Sequence, residues 1–289
     1  MRMILPRLTY AVAMLGIAGG LQAQDLPKSQ PKYLQIIREE VKIGRNPDHA
    51  KIEAGWPAAF ERVKSPNFYL AMVAMTGANE AWFIIPQESN AAVEATMKRE
   101  EGDRQLQSEF DRLAKADADV LNNLRTVMAV SRPDLSYGAY PDLAQQRFWD
   151  ISWFRVRPGH EQQWEGAAKT YMAATKRSAP DQSFRTYEVM AGMPGPVYLI
   201  FSSVPSYAAF DKMESDGQKT WGAMTPEEMA LMQKFSTDGL INIETNRFRL
   251  SPTMSYVPMS VRQSDPAFWM PPRKAAVASN AQPAPSTRP

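Results

Sequence analysis

Ser89-Asn90-Ala91-Ala92-Val93-Glu94 and Ser206-Tyr207-Ala208-Ala209-Phe210-Asp211 read as two versions of one helix start, far apart in the chain. A serine ahead of a helical run can accept a hydrogen bond from a free backbone N–H of the first turn. Working outward, the same order of features surrounds both. Upstream, the alternating segments Tyr33 to Val41 and Phe148 to Val156 read as strands, and each runs into a glycine turn at Val41-Lys42-Ile43-Gly44 and Val156-Arg157-Pro158-Gly159. A helix follows each turn. In the first copy Asn46 is placed to cap it and Pro47 suits its first position. The apolar face runs Ile52, Trp56, Phe60, Val63 in one copy and Trp164, Ala168, Tyr171, Thr175 in the other, in steps of three and four. Pro57 predicts a kink in the first of these helices.

Two hairpins come next, Phe68 to Met75 with Ala81 to Ile85, and Phe184 to Met190 with Val197 to Phe201. Their turns hold Gly77, Gly192 and Gly195, residues that supply the positive φ of tight turns. Beyond the serine-capped helices, Leu106, Phe110 and Leu113 make a stripe in the first copy. In the second, Thr225-Pro226-Glu227-Glu228 reads as a capping box. Both copies end in a strand and related tails, Arg132 to Tyr137 and Ser251 to Tyr256. The units therefore span 31–137 and 147–256, with a linker at 138–146.

This βαββαβ order, with its glycine turn and Ser-Tyr/Asn-Ala-Ala helix start, resembles the dimeric α/β-barrel superfamily. That group has ferredoxin-like units and includes antibiotic-biosynthesis-monooxygenase-like and NIPSNAP-like domains. The resemblance implies an α+β fold of two tandem ferredoxin-like repeats with antiparallel sheets, packed as an intramolecular α/β barrel. It also implies a range of activities: cofactor-free oxygenation, haem-linked chemistry and ligand binding. No motif in the chain selects among them.

The ends read differently from the repeats. Arg2 and Arg7 precede a mostly apolar run from Leu8 to Leu21, and Leu21-Gln22-Ala23 offers a cleavage point, so 1–23 reads as a signal peptide and the protein as exported, periplasmic or secreted. Residues 271–289 are rich in Pro, Ala and Ser and read as a disordered tail. Removing 1–23 leaves 31 basic against 31 acidic residues, so no basic face speaks for a nucleic-acid partner. No second long apolar run exists, so no membrane span is expected after cleavage. The assembly is expected to be a monomer with an internal pseudo-dimer, or a homo-oligomer. Cysteine is absent, which removes disulfides, thiolate metal sites and Cys nucleophiles.

Candidate site residues come from the strand faces, where polar groups stand among aromatic ones. These are Gln35 and Glu39 in the first copy and Asp150, Ser152, Trp153, Arg185, Tyr187 and Glu188 in the second. Polar side chains on a strand covered on both sides need partners or a cavity. The copies differ most there, and the polar groups predict an asymmetric site leaning on the second copy. His49 and His160 lie just inside helix starts, where histidine is usually exposed, so neither is assigned a metal, and no cofactor is assigned. The main functional expectation is a small, partly apolar ligand bound in the barrel or between sheet and helices. The alternatives are an oxygenase-like enzyme with Glu188, Asp150 or a histidine as base, and a cell-envelope scaffold displaying Trp221 or Trp269.

Overall fold

The computed structural model describes residues 25–271. Residues 1–23, read from sequence as a signal peptide, lie outside them, as does the tail beyond Pro271. The first half runs β1 (Tyr33–Val41), α1 (Asn46–Glu53), α2 (Gly55–Arg62), β2 (Leu70–Ala74), β3 (Glu80–Gln87), α3 (Asn90–Gly102), α4 (Arg104–Ala118) and β4 (Leu121–Ser131). The second runs β5 (Phe148–Val156), α5 (Glu161–Ser178), β6 (Arg185–Ala191), β7 (Val197–Val204), α6 (Ala209–Gly222), α7 (Pro226–Lys234) and β8 (Leu240–Leu250). Short helices α8 (Met259–Ser264) and α9 (Pro266–Trp269) follow.

The eight strands close into one antiparallel barrel in the order β1-β3-β2-β8-β5-β7-β6-β4. Each half contributes four neighbouring strands with its repeat's own order. Two short seams join the halves. β2 meets β8 over Met72–Leu250, Val73–Arg249 and Ala74–Phe248, and β4 meets β6 from Met128–Ala191 to Ser131–Tyr187. The hairpin glycines belong to this closure. Gly77 (φ +76°) and Gly192 (φ +93°) each bring a turn against a strand of the opposite half. A Cβ on Gly77 would lie 2.1 Å from the Asn246 side chain, and one on Gly192 2.1 Å from the Thr126 carbonyl oxygen.

Alternation sorts the strand residues. Leu34, Ile36 and Arg38 of β1 and Trp149, Ile151 and Trp153 of β5 point into the barrel. At one end Trp82 and Trp153 stack with centroids 5.3 Å apart and planes 4° apart. The Arg38 guanidinium lies over both rings, 4.7 and 4.6 Å from their centroids, and pairs with Glu80 at 2.9 Å. A ligand chamber inside this part of the barrel is therefore excluded. The opposite strand faces carry the helices.

Several local features differ from expectation. Asn46 does not cap α1; its side chain bonds Asn79 instead, at 3.0 and 2.7 Å. Ser89 caps α3 through Ala92 N–H at 3.0 Å, but α6 starts at Ala209 with no side-chain cap, so Ser206 does not repeat that role. The capping box at Thr225 and Glu228 forms. The kink predicted by Pro57 takes the form of a break at Ala54 between α1 and α2. Proline lacks the N–H that would bond the carbonyl four residues earlier, and that carbonyl belongs to Glu53. The second half has no such proline, and its first helix α5 runs unbroken.

Candidate functional site

Between the first half's sheet and its helices lies a cavity of about 550 Å³. Its floor is the outward face of β1, β3 and β4, with Gln35, Ile37 and Glu39 in sequence along β1. Trp56, Phe60 and Phe110 wall it from α2 and α4. The three rings pack on one another with centroids 4.9 and 5.2 Å apart. The helix break at Ala54 sets α2 close to α4: a Cβ on Gly55 would sit 2.6 Å from Leu113 Cδ2. Polar groups gather at the two ends, Asn67, Gln87 and Thr96 at one, and Glu39, Glu53 and Asp117 at the other.

The acidic end is the most unusual part of the molecule. Glu39, His49, Glu53 and Asp117 are all buried. Glu39 Oε2 and His49 Nε2 are 2.8 Å apart, and Trp56 Nε1 donates to Asp117 Oδ2 at 3.3 Å. Burial raises the Glu53 carboxyl well above its ordinary pKa, and the neighbouring carboxylates of Glu39 and Asp117 push the same way. The Asp117 carboxyl is raised too, first by burial and then by Glu39. Burial, with Glu53 next, also raises the Tyr69 hydroxyl. His49 forms part of the wall of a second hollow of about 540 Å³, between the start of α1, the β2–β3 hairpin and residues 249–254.

The residues singled out from sequence fall in three places. Gln35 and Glu39 line the cavity. Asp150, Ser152 and Glu188 share the equivalent outward face in the second half, where each is engaged. Asp150 lies 3.7 Å from Arg247, with its pKa raised by burial against that cation's pull. Ser152 bonds Thr245 at 2.7 Å, and Glu188 accepts from Arg132 at 3.0 Å. Trp153 points into the barrel, and Arg185 and Tyr187 sit at the barrel mouth beside a cavity of about 70 Å³. There Arg185 donates to the carbonyls of Tyr137, Phe184 and Gly138.

The emphasis on the second copy is not what the structure shows. There the gap between sheet and helices is filled: Phe154, Tyr198 and Phe235 pack on Trp164 with centroids 4.6, 5.0 and 5.7 Å away. Of the bases proposed from sequence, only His49 touches the acidic cluster; His160 is half-buried and bonded to Gln163 at 2.9 Å. Nor are the histidines equivalent. His49 lies five residues after Gly44, as Trp164 does after Gly159, whereas His160 corresponds to Arg45. The expectation of an exposed His49 fails because its side chain is buried against Glu39 of β1. Sequence reasoning missed Glu53, Tyr69 and Asp117. Glu53 was within reach of it, since His49 and Glu53 are spaced four apart on one helix face. The scaffold reading loses Trp269, which is buried, while Trp221 is exposed but packs edge-on to Tyr171.

No known protein-family model matches the chain. No curated protein matches it. Solved structures do. An anthrone oxidase-like protein aligns over 78% of this chain and 93% of its own at 10% identity, with a TM-score of 0.52. A monooxygenase-like protein from Fusobacterium nucleatum subsp. nucleatum aligns over 76% and 92% at 9% identity, with a TM-score of 0.51. A NIPSNAP domain protein from Burkholderia xenovorans is 17% identical over 35% of this chain and 95% of its own, with a TM-score of 0.28. At these identities the likeness concerns fold. The chain has the dimeric α/β-barrel fold, with both ferredoxin-like units in one polypeptide. Among the described residues no helix is long and apolar enough to cross a membrane.

Proposed function

We propose that this protein is exported and binds a small, largely apolar molecule, of the size of a fused aromatic ring system, between the sheet and helices of its first half. The observation that carries the reading is the cavity itself. A volume of about 550 Å³ lies within the ~300–1,000 Å³ range of small-molecule sites, and its middle is aromatic while its ends are polar. Among the described residues, the same position in the second half is occupied by Phe154, Tyr198 and Phe235 packed on Trp164, although that half is built on the same strand order. Packed interiors rarely leave voids larger than a water molecule, so a space of this size kept open beside a filled counterpart calls for an occupant. The ligand's flat apolar body would lie against Trp56, Phe60 and Phe110, with a polar edge toward Asn67, Gln87 and Thr96.

Native mass spectrometry of protein purified from its own host tests this directly, through the mass of a retained organic molecule. A second measurement needs no knowledge of the ligand. Titration with anilinonaphthalene sulfonate should show one saturable site whose fluorescence is lost in Ile37→Trp, which fills the cavity floor. Unchanged probe binding by a folded Ile37→Trp variant would remove the proposal.

A further inference from the structure

The acidic end of the cavity holds more negative charge than its surroundings offset. Glu39, Glu53 and Asp117 are buried, and among the described residues none of them is ion-paired with lysine or arginine; the basic group in contact is His49. Three buried oxygens here lack any hydrogen-bond partner: Glu53 Oε1, Asp117 Oδ1 and the Tyr69 hydroxyl. Such atoms are few in folded proteins, and the three residues that carry them line one cavity. One donor atom each from Glu39, His49 and Glu53 lies within 4.8 Å of the other two. His49 and Glu53 project from the same face of α1, and Glu39 meets them from β1.

We infer that Glu39, His49 and Glu53 bind one divalent first-row transition-metal ion, with Asp117 and the Tyr69 hydroxyl as flanking oxygens. Two carboxylates and an imidazole suit Zn²⁺, Mn²⁺ or Fe²⁺. Calcium takes six to eight oxygen ligands and magnesium a near-ideal octahedron, and a cuprous ion favours sulfur ligands. An ion about 2.0–2.2 Å from each donor requires neighbouring donors about 3.0–3.4 Å apart. The Glu39–His49 contact of 2.8 Å therefore opens by a few tenths of an ångström, a side-chain adjustment, and its shared proton leaves. The ion's charge offsets carboxylates that otherwise carry an unbalanced desolvation cost. The hollow beside His49 shares no lining residue with the aromatic cavity. The site goes beyond organic-ligand binding and does not depend on it.

The test uses the full chain after chelator treatment, titrated with Zn²⁺ against a chromophoric competitor and separately with Co²⁺, whose visible absorption reports its ligands. One ion per chain is expected. His49→Ala and Glu53→Gln should each weaken Zn²⁺ binding by at least about 100-fold, the upper end of what loss of a mere supporting group costs, and should change the Co²⁺ spectrum. Glu53→Gln keeps the side-chain shape and guards against a folding failure in His49→Ala. His160→Ala should bind as the parent does. Absence of stoichiometric binding, or binding unaltered in folded His49→Ala and Glu53→Gln, overturns the inference. Probe titration repeated with chelator present separates the two readings: the organic site can stand where the metal site fails, and the reverse.

Discussion

Two residues before the glycine-turn end of its first strand, the second half carries Phe154, and five residues past the turn glycine it carries Trp164. At the same places the first half has Glu39 and His49. Phe235 stands five residues ahead of β8; Ala116 stands five ahead of β4. The large aromatic groups that fill one sheet–helix gap are thus replaced by a carboxylate, an imidazole and a methyl group in the other. The first half also breaks its helix at Ala54 where the second continues. One architecture therefore yields a packed support on one side and an open, acid-floored cavity on the other. The difference lies in side-chain volume and charge at equivalent positions, while strand order and barrel closure are shared.

Substitutions at matched positions can break this contrast. The largest effect is expected at Trp164, stacked among three aromatic rings: Trp164→Ala should cost about 3–5 kcal/mol by urea unfolding. Phe110→Ala, on the wall of the open cavity, should cost clearly less. Equal losses would mean that the first half is as tightly packed as the second. Overpacking separates the halves next. Ala167→Leu, on the buried face of α5, should destabilise by about 1–3 kcal/mol. Ile37→Trp should enter free volume with little loss of stability while abolishing probe binding.

The hairpin glycines sharpen the comparison at the seams. Both have positive φ, where alanine is strained by about 1–3 kcal/mol. Gly192→Ala should cost more than Gly77→Ala, because the new Cβ meets the fixed Thr126 carbonyl in one case and a movable Asn246 side chain in the other. The smallest effect concerns pH. Lys212 and Lys219 bond Asp216 on α6 and hold its carboxyl below the usual range. A depressed folded-state pKa adds stability above the unfolded pKa of about 3.9, and that contribution disappears as pH falls through the folded value. Asp216→Asn should therefore lower stability at neutral pH by under about 1 kcal/mol, and the gap from the parent should narrow in acid unfolding as pH falls below the unfolded pKa.

Much of the fold was legible because it is encoded locally. β1 and β5 have the bounds that alternation predicted, Gly44, Gly77, Gly159 and Gly192 all take positive φ, and the capping box at Thr225 forms. Ser206 and Asn46 show the limit of such reasoning. A cap is available to each, but Asn46 is taken by Asn79 across the hairpin, a competition that a local window does not display. The candidate site was half legible. Glu39 and Gln35 stood out as polar residues on a covered strand, and alternation put them on the correct face. Glu53, Tyr69 and Asp117 did not, since each is unremarkable in its own element and gains meaning from what the other elements bring beside it.

The amino-acid sequence by itself determined the repeat, the order of strands and helices, the turn glycines and the alternation that separates barrel lining from helix-facing residues. These depend on φ preferences, hydrogen bonds a few residues long and the two-residue period of a strand. Only the tertiary structure decided which sheet–helix gap stays open and which acids meet at its floor. An open volume is the sum of side chains delivered by β1, β3, β4, α2 and α4 together, and a buried carboxylate's protonation depends on the charges packed around it. Both are properties of assembled neighbours, and no single segment of the chain carries them.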